Sequence, residues 1–486
     1  MNGPIRRLAA VLFLAFAVVV VDLTYLQVVA GPRYRDHPRN ARVVISQSGR
    51  ERGPILSLEG EVLAESVVDP DQAQQFIRRY PHPELYAHVI GYSALLFGQT
   101  GVEATHSSEL RSGRDVTISG LIRALMGADL RPKGIRLTIS HQLQQTARQA
   151  MGGARGAVLA LDPATGAVLA MVSTPSFDPN LLVAADRPDI GEQLQDDPAR
   201  PLLNRAIAQT YAPGSSFKVV TAGAALESGS YNAESTFPDP QALELPGSTS
   251  VIRNFDQESC AGGAQVTLTQ ALVRSCNTIF GMLGMEVGAE RMVTQAEAFG
   301  FNQEIPLELP TLTSHFPPVE AFENNLPALA QSAIGQRDVQ ATALQMALVA
   351  AGMANGGVLM TPYVVGEVFN QDGEVVQATE PIEWRRGLSP ASATVLAGMM
   401  EQVVTAGTGR QAAIPNVRVA GKTGTAEVPE APPHAWFMAF APIEQPRIAL
   451  AVVVENGGEA GESATGGGVA APIAQQVLAA ALGLGG

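Results

Sequence analysis

The chain has 486 residues, of which 46% are apolar and 16% charged, so most of it can fold around a large core and disorder is excluded for most of its length. Its 32 basic and 46 acidic residues give a formal charge of −14, which disfavours nucleic acid as a partner because phosphate binding needs a basic surface. Two cysteines exclude a disulfide scaffold, and seven scattered histidines without ligand spacing predict no metal site.

Only three of the basic residues are lysines, namely Lys133, Lys218 and Lys422. An arginine side chain does not lose its proton in a protein, whereas a lysine side chain can. The lysines are therefore either surface residues left by an arginine-rich codon usage or positions that require a titratable amine.

The first predicted element is a membrane anchor. Residues 8–30 are mostly apolar and would span roughly 34 Å as a helix at about 1.5 Å per residue. Arg6 and Arg7 precede this stretch, which predicts a short cytoplasmic tail and an extracytoplasmic position for the rest of the chain. The alternative is a signal peptide cleaved after residues 28–30. Asp22 would either contact a partner or lie at the membrane interface.

Residues 32–150 are predicted to form a smaller β-rich domain, with short strands at 41–46, 60–64 and 135–139 separated by Gly and Pro turns. Residues 151–486 are predicted to form a second domain, which opens with a hairpin at 156–173.

The rest of the second domain is predicted from its sequence pattern to be helical between about 200 and 355 and then to return to strands. The later predicted elements are strands at 418–422, 436–441 and 448–455, loops at 428–433 and 457–468, and a helix at about 469–482. Pairing of the hairpin with the late strands predicts an α/β sandwich with an antiparallel five-stranded sheet, and the helical insert packs against one face.

Cys260 and Cys276 are 16 residues apart, and an extracytoplasmic location permits a bridge between them. Such a bridge would stabilise the fold by about 3 kcal/mol. The alternative is two buried free thiols.

The segment 211–220 carries Ser215 and Lys218 just after Pro213-Gly214 and at the start of an apolar helix. Helix positions three apart share a face, so the hydroxyl and the amine should meet. The free N–H groups at a helix N-terminus also favour a developing oxyanion.

Two further patterns are weak when taken singly. Residues 275–277, Ser-Cys-Asn, could be a polar turn or a helix cap. Lys422, Thr423, Gly424 and Thr425 could form a tight turn with a surface lysine. On a strand, Lys422 would point to one face and both threonines to the other, and the glycine would allow a ligand close to the backbone.

Together the three patterns, at positions 215, 275 and 422, use two of the three lysines. Here the chain resembles the penicillin-binding proteins and serine β-lactamases, which share SxxK, SxN and KTG. Residues 52–64 are similar to the N-terminal signature of class B penicillin-binding proteins, with Ser57-Leu58 where the family has Asp-Arg. Residues 335–337 read GQR where GQG is usual.

The resemblance implies a peptidoglycan D,D-transpeptidase with no cofactor, which cross-links stem peptides and is acylated by β-lactams. The implied catalytic residues are Ser215 as the nucleophile, Lys218 as a neutral base, Ser275 as a proton relay, Asn277 as a contact of substrate amides and of Lys218, and Lys422 as the nearby cation. The implied substrate-binding residues are Thr423, Gly424 and Thr425. A neutral Lys218 needs a pKa well below its ordinary value, which burial and Lys422 would favour.

The implied partners are a membrane glycosyltransferase and other cell-wall synthesis proteins, contacted through the anchor and residues 32–150. Two alternatives stay open: a D,D-carboxypeptidase or β-lactamase that uses water as the acceptor, and a non-catalytic penicillin-binding scaffold. We expect Lys133 to be a surface residue. Trp436 and His434 are expected to be a packing residue and a strand-edge residue, with a substrate contact at the rim of the site as the alternative.

Overall fold

The structure is a computed structural model that describes residues 2–26, 30, 49–70, 75–111, 131–184, 187, 189–263 and 265–484. The strand predicted at 41–46 lies outside the described residues.

Helix α1 (Asn2–Thr24) is long and apolar enough to cross a membrane, and its side chains pack against no other part of the described chain. It begins at Asn2, six residues before the predicted start, because Pro4 lies in the first turn, where a missing N–H costs no intrahelical hydrogen bond. The described helix overlaps the predicted anchor from residue 8 to residue 24, and residues 27–29 lie outside the described residues.

The β-rich region that follows is built from short elements. They are β1 (Ile55–Leu56), β2 (Val62–Val68), β3 (Phe76–Arg79), α2 (Pro83–Ile90), β4 (Ser93–Ala94), β5 (Gly98–Gln99), α3 (Gly101–Thr105), α4 (Ser107–Leu110), β6 (Gly134–Leu137) and α5 (His141–Met151).

The remaining elements belong to the larger part of the chain. They are β7 (Gly156–Leu161), β8 (Val168–Thr174), α6 (Pro179–Val183), α7 (Ile190–Asp196), α8 (Lys218–Glu227), β9 (Thr236–Pro238), β10 (Ala242–Glu244), β11 (Val251–Arg253), β12 (Gln265–Thr267), α9 (Leu268–Arg274), α10 (Asn277–Val287), α11 (Ala289–Ala298), α12 (Leu326–Ala333), α13 (Ala343–Ala354), β13 (Val358–Met360), β14 (Val365–Phe369), β15 (Val375–Ala378), β16 (Glu383–Arg386), α14 (Pro390–Thr405), β17 (Ala420–Val428), β18 (Ala431–Ala441), β19 (Ile448–Val454) and α15 (Ala471–Ala481).

The central sheet has five strands in the order β17-β18-β19-β7-β8, and every neighbouring pair is antiparallel. The predicted pairing of the early hairpin with the late strands is confirmed. Both β7 and β19 are buried along their whole length, because α13 packs against one face of the sheet and α15 and α5 pack against the other. This α/β sandwich has the predicted fold.

A second sheet, of six strands in the order β15-β14-β6-β1-β2-β3, forms the smaller region. Its β14 and β15 come from the far side of the predicted domain boundary at residue 150, and β14 pairs with β6 in antiparallel register. The boundary itself stays a prediction, but the chain crosses back over it to complete this sheet. A local sequence pattern could not predict that pairing.

Ser57, which stands where the family signature has an Asp, lies in a tight turn. Ser57 is fully buried, and its Oγ accepts hydrogen bonds from the backbone N–H groups of Glu59 and Glu61, both at 3.2 Å. A short polar side chain that satisfies the backbone of its own turn is the role that an Asp often has in turns. The neighbouring Leu58 is exposed.

Three predicted stretches differ from the structure. The helical stretch between about 200 and 355 also contains the short strands β9 to β12. The loop predicted at 428–433 is largely the extended end of the β17–β18 hairpin, because the two strands continue pairing up to Val428 and Ala431. The loop predicted at 457–468 consists of short helical turns interrupted by glycines with positive φ.

Candidate active site

Ser215 lies in a single 3₁₀ turn, Gly214–Phe217, that leads directly into α8. Gly214 has φ +52°, and a Cβ there would lie 2.6 Å from the carbonyl oxygen of Thr425, so only glycine fits. Ser215 is half-buried, and its hydroxyl has no hydrogen-bond partner within the described part of the chain. The turn therefore presents the hydroxyl at the N-terminal end of a helix, as predicted.

Lys218 is the first residue of α8 and is fully buried. Its Nζ donates to Asn277 Oδ1 at 2.6 Å and to the backbone oxygen of Ser275 at 2.6 Å, and it lies 3.4 Å from Ser275 Oγ. Its amine is therefore held by the second sequence pattern, one helical turn beyond Ser215.

The second pattern forms the turn between α9 and α10. Helix α9 begins with a capping box between Thr267 and Gln270 and ends at Ser275, which has left-handed backbone dihedral angles of φ 63° and ψ 42°. Asn277 is the first residue of α10. The sharp turn directs the two side chains towards Lys218. Cys276, between them, forms a disulfide with Cys260, which is the first of the two predicted alternatives.

Lys422 lies on β17 and is fully buried. Its Nζ donates to Ser275 Oγ at 2.8 Å and to the backbone oxygen of Thr423 at 2.9 Å. Thr423 Oγ1 lies 2.7 Å from Thr408 Oγ1, and Thr425 Oγ1 accepts from the Gly466 N–H at 3.4 Å. The alternative interpretation, a surface lysine in a tight turn, is wrong for Lys422.

Gly424 lets β17 approach the turn that carries Ser215. A Cβ on Gly424 would lie 2.7 Å from the carbonyl oxygen of Pro213 and 3.1 Å from the backbone nitrogen of Ser216. The glycine thus allows close contact between two segments of the chain itself, so that the third pattern lies directly against the first.

The two buried amines differ in their titration. Burial lowers the pKa of Lys218 well below its ordinary value, and the positive charge of Lys422 lowers it further. Burial lowers the pKa of Lys422 to about 7. Burial and the neighbouring charge therefore favour the neutral form of Lys218, which can accept a proton, while a large share of Lys422 is still protonated at pH 7.

All eight predicted site residues lie on segments that the fold brings together, with one difference from the expected contacts. We expected the amine of Lys218 to meet the hydroxyl of Ser215, but both lysine amines instead converge on Ser275 Oγ. The physical reason is that Asn277 and the Ser275 backbone hold the Lys218 amine on the side of the second pattern. Catalytic hydrogen bonds are often loose before substrate binds.

Trp436 has the packing role that we expected. Trp436 is fully buried, and its indole N–H donates to the carbonyl oxygen of Ala212 at 3.0 Å. His434 Nδ1 accepts from the Asn456 N–H at 3.0 Å. Lys133 is half-buried, precedes β6 in the other sheet and has no contact with this site.

No sequence pattern indicated the buried network that holds the segment before Ser215. The Tyr211 hydroxyl donates to Glu455 Oε1 at 2.7 Å, and the same oxygen accepts from Nε of the fully buried Arg205 at 2.9 Å. The backbone of Tyr211 also pairs with Ala341. These residues come from three distant segments, so no local spacing could have indicated them.

Comparisons with known proteins agree with this geometry. Residues 156–479 match the penicillin-binding protein transpeptidase domain, and residues 52–134 match the penicillin-binding protein A dimerisation domain. The chain is 42% identical to the peptidoglycan D,D-transpeptidase PbpA of Mycolicibacterium smegmatis and 40% identical to that of Mycobacterium tuberculosis, over 99% of each chain in both cases.

Comparison with solved structures also finds penicillin-binding proteins. The ceftriaxone acyl-enzyme complex of penicillin-binding protein A from M. tuberculosis superposes with a TM-score of 0.83 and 39% identity, covering 90% of this chain and 100% of that one. Pseudomonas aeruginosa PBP2 superposes with a TM-score of 0.73 and 32% identity, covering 89% and 95%.

Proposed function

The chain belongs to the class B penicillin-binding protein transpeptidases, and on this basis we propose that it is a peptidoglycan D,D-transpeptidase that works through an acyl-enzyme at Ser215. One observation carries the assignment: a buried Lys218 amine, one helical turn after Ser215, is held by Asn277 and Ser275, and Lys422 donates to the same Ser275 hydroxyl. The substrates are stem peptides that end in D-alanyl-D-alanine.

In the acylation step, Ser215 Oγ attacks the carbonyl carbon of the penultimate D-alanine while neutral Lys218 accepts the hydroxyl proton. The new ester bond forms as the peptide bond to the terminal D-alanine breaks. The leaving amine takes a proton through the Ser275 hydroxyl, which lies 3.4 Å from Lys218 Nζ and 2.8 Å from Lys422 Nζ. No histidine is needed as a base.

The third pattern binds and polarises the substrate. The backbone N–H groups of Ser215 and Thr425 form the oxyanion hole. The hydroxyls of Thr423 and Thr425, with the positive charge of Lys422 behind them, bind the terminal carboxylate, and Gly424 keeps this strand against the nucleophile.

In the second step, an amine of a neighbouring stem peptide attacks the ester carbonyl, forms the cross-link and releases Ser215. A β-lactam acylates the same hydroxyl. Slow hydrolysis of that ester makes the β-lactam an inhibitor.

Helix α1 anchors the protein in the plasma membrane as a single pass, with Arg6 and Arg7 in the cytoplasm and the catalytic domain outside. The disulfide between Cys260 and Cys276 fits that oxidising location. Proteolysis of spheroplasts tests the orientation, because an external protease should digest everything after α1. Protection of the catalytic domain would contradict the orientation.

The partners are a membrane glycosyltransferase that polymerises the glycan strand and other cell-wall synthesis proteins. The contact surfaces are α1 and the β-rich domain predicted at 32–150. Crosslinking in intact cells from sites placed on the exposed edge of β3 tests this contact. Recovery of no cell-wall polymerase would count against it.

The reaction itself is tested with the purified full-length protein, a pentapeptide ending in D-alanyl-D-alanine and a labelled D-amino acid as acceptor amine. We expect label in the peptide product and loss of this product in Ser215→Ala. The control Ser228→Ala changes a serine at the opposite end of α8 and should retain activity. Formation of only the hydrolysed tetrapeptide would favour a carboxypeptidase, and rapid turnover of penicillin would favour a β-lactamase.

A further inference from the structure

Helix α10, which begins with Asn277, has an N-terminus that its own N-cap residue does not satisfy. The N-cap residue is Cys276, and it makes no side-chain cap hydrogen bond, because its sulfur is bonded to Cys260. The first N–H groups of a helix have no partner within the helix and need an acceptor from elsewhere.

Asn254 supplies that acceptor from another segment. Its Oδ1 accepts from the backbone N–H of Asn277 at 2.8 Å and from that of Thr278 at 3.2 Å, and the Thr278 hydroxyl lies 3.4 Å away. Asn254 is buried, with 8% exposure, and its own amide N–H donates to the carbonyl oxygen of Glu258 at 2.9 Å. Hydrogen bonds at both its oxygen and its nitrogen therefore fix the orientation of the Asn254 amide.

The β10–β11 hairpin, which precedes Asn254, packs closely against α10. Ile252 on β11 is buried against Gly281, where a Cβ would lie 3.0 Å from Ile252 Cδ1. The next residue, Arg253, accepts a hydrogen bond at its backbone oxygen from Asn277 Nδ2 at 2.9 Å. Residues 253 and 254 thus hold both the backbone and the side chain of Asn277.

This arrangement determines which way the Asn277 amide faces. With its nitrogen on Arg253, the amide must present its oxygen to Lys218, and that oxygen lies 2.6 Å from Nζ. An amide nitrogen has two hydrogens, so one remains available to a substrate carbonyl.

We propose that Asn254 is a positioning residue for acyl transfer, which holds Asn277 so that its amide oxygen stays on the Lys218 amine. The proposal rests on the proposed function of Ser215 and Lys218 and assigns a role to a residue outside the three sequence patterns. Lys422 is the one charged group whose charge acts on Lys218 among the described residues, so a change at Asn254 acts on Lys218 through Asn277.

The test is the rate constant of acylation by benzylpenicillin, measured over a range of pH for the full-length protein. For Asn254→Ala we expect the maximal rate constant to fall by about tenfold, because a hydrogen bond to the base is loosened. Loss of an acceptor for the protonated amine lowers the pKa of Lys218, so the acid limb of the profile should move to lower pH.

Asn254→Asp loses the hydrogen bond to Glu258 but keeps acceptor oxygens for both N–H groups, so it should restore the maximal rate constant to within about threefold of the wild type. Its added negative charge should move the acid limb to higher pH, the opposite direction. If Asn254→Ala does not fold, Asn254→Ser replaces it, because serine keeps a shorter acceptor. We expect the same fall in the rate constant and the same shift of the acid limb as for the alanine variant.

Asn370→Ala is the matched control, because Asn370 Oδ1 also accepts two backbone N–H groups, those of Asp372 and Glu374, in the distant β14–β15 hairpin. It should leave the rate profile unchanged. An Asn254→Ala protein with the wild-type rate and profile, or with a loss of rate that Asn370→Ala reproduces, would overturn the inference. Absence of an adduct in the wild type would overturn the proposed function and this inference with it.

Discussion

The side-chain nitrogen of Lys218 lies 2.6 Å from the amide oxygen of Asn277, although 59 residues separate them in the chain. The contact holds the base on the segment that carries Ser275, and the two lysine amines meet at Ser275 Oγ. The Ser275 hydroxyl therefore connects the two lysine amines, while the Ser215 hydroxyl is not hydrogen-bonded to either of them among the described residues.

Asn277→Asp tests that contact. A carboxylate in place of the amide oxygen would stabilise the protonated form of Lys218 and raise its pKa, so less neutral base would be present at pH 7. We expect the acylation rate constant at neutral pH to fall at least about tenfold and to recover in part at higher pH. The control Asn232→Asp makes the same change in an exposed turn and should have no effect. An unchanged pH profile in Asn277→Asp would contradict the assignment of Lys218 as base.

The pH dependence of acylation should also show the titration of Lys422. Its pKa is about 7, so the positive charge that attracts a substrate carboxylate is present below that pH and is lost above it. The second-order rate constant for a carboxylate-bearing β-lactam should therefore fall as the pH rises through about 7, since this quantity reports the free protein. An uncharged ester of the same β-lactam should show no such alkaline limb. A rate constant that stays level for the carboxylate form up to about pH 9 would show that Lys422 does not act as the cation.

Removal of the disulfide should destabilise the transpeptidase region. Cys260 and Cys276 close a loop with a sequence separation of 16, and loss of such a crosslink costs about 3 kcal/mol in unfolding free energy. Urea unfolding of the double variant Cys260→Ser, Cys276→Ser measures this loss against the wild type. The same experiment under reducing conditions should lower the stability of the wild type but not that of the double variant. Equal unfolding midpoints in all samples would mean that the bridge contributes nothing.

Two substitutions in the loop at residues 335–337 should change the unfolding free energy in opposite directions. Gly335 has φ +70°, and a Cβ there would lie 2.2 Å from the backbone oxygen of Gly214. Gly335→Ala should therefore lower the unfolding free energy by more than about 2 kcal/mol. It should also slow acylation, because the added methyl group displaces the turn that carries Ser215. Arg337 is exposed with φ +61°, so Arg337→Gly should raise the unfolding free energy by about 0.5–1 kcal/mol. Urea unfolding measures both. Stabilisation by Gly335→Ala would contradict the described turn.

The departure from the family pattern at Arg337 was visible in the sequence, but its physical meaning was not. A glycine is usual there, and the structure shows why: the residue has a left-handed backbone. A periodicity or propensity argument does not indicate the sign of φ. The same limit applies to Ser275, whose left-handed conformation turns the second pattern towards Lys218.

Elements with strong local patterns could be predicted from the sequence. Strands β7 and β19, most of β8 and the second half of β18 are apolar runs, and their arrangement in one antiparallel sheet followed from their positions at the two ends of the region. The contribution of β14 and β15 to the other sheet could not be predicted, because it depends on a pairing across more than two hundred residues. Asn254 was missed for the same reason, since only the folded hairpin brings it to Asn277.

The most direct test of the central claim is intact-protein mass spectrometry after incubation with benzylpenicillin, followed by peptide mapping of the adduct. We predict one penicilloyl group per chain, on the peptide that contains Ser215, and no adduct on Ser215→Ala. An adduct on any other residue, or a wild-type protein that stays unmodified, would contradict the assignment of Ser215 as the nucleophile.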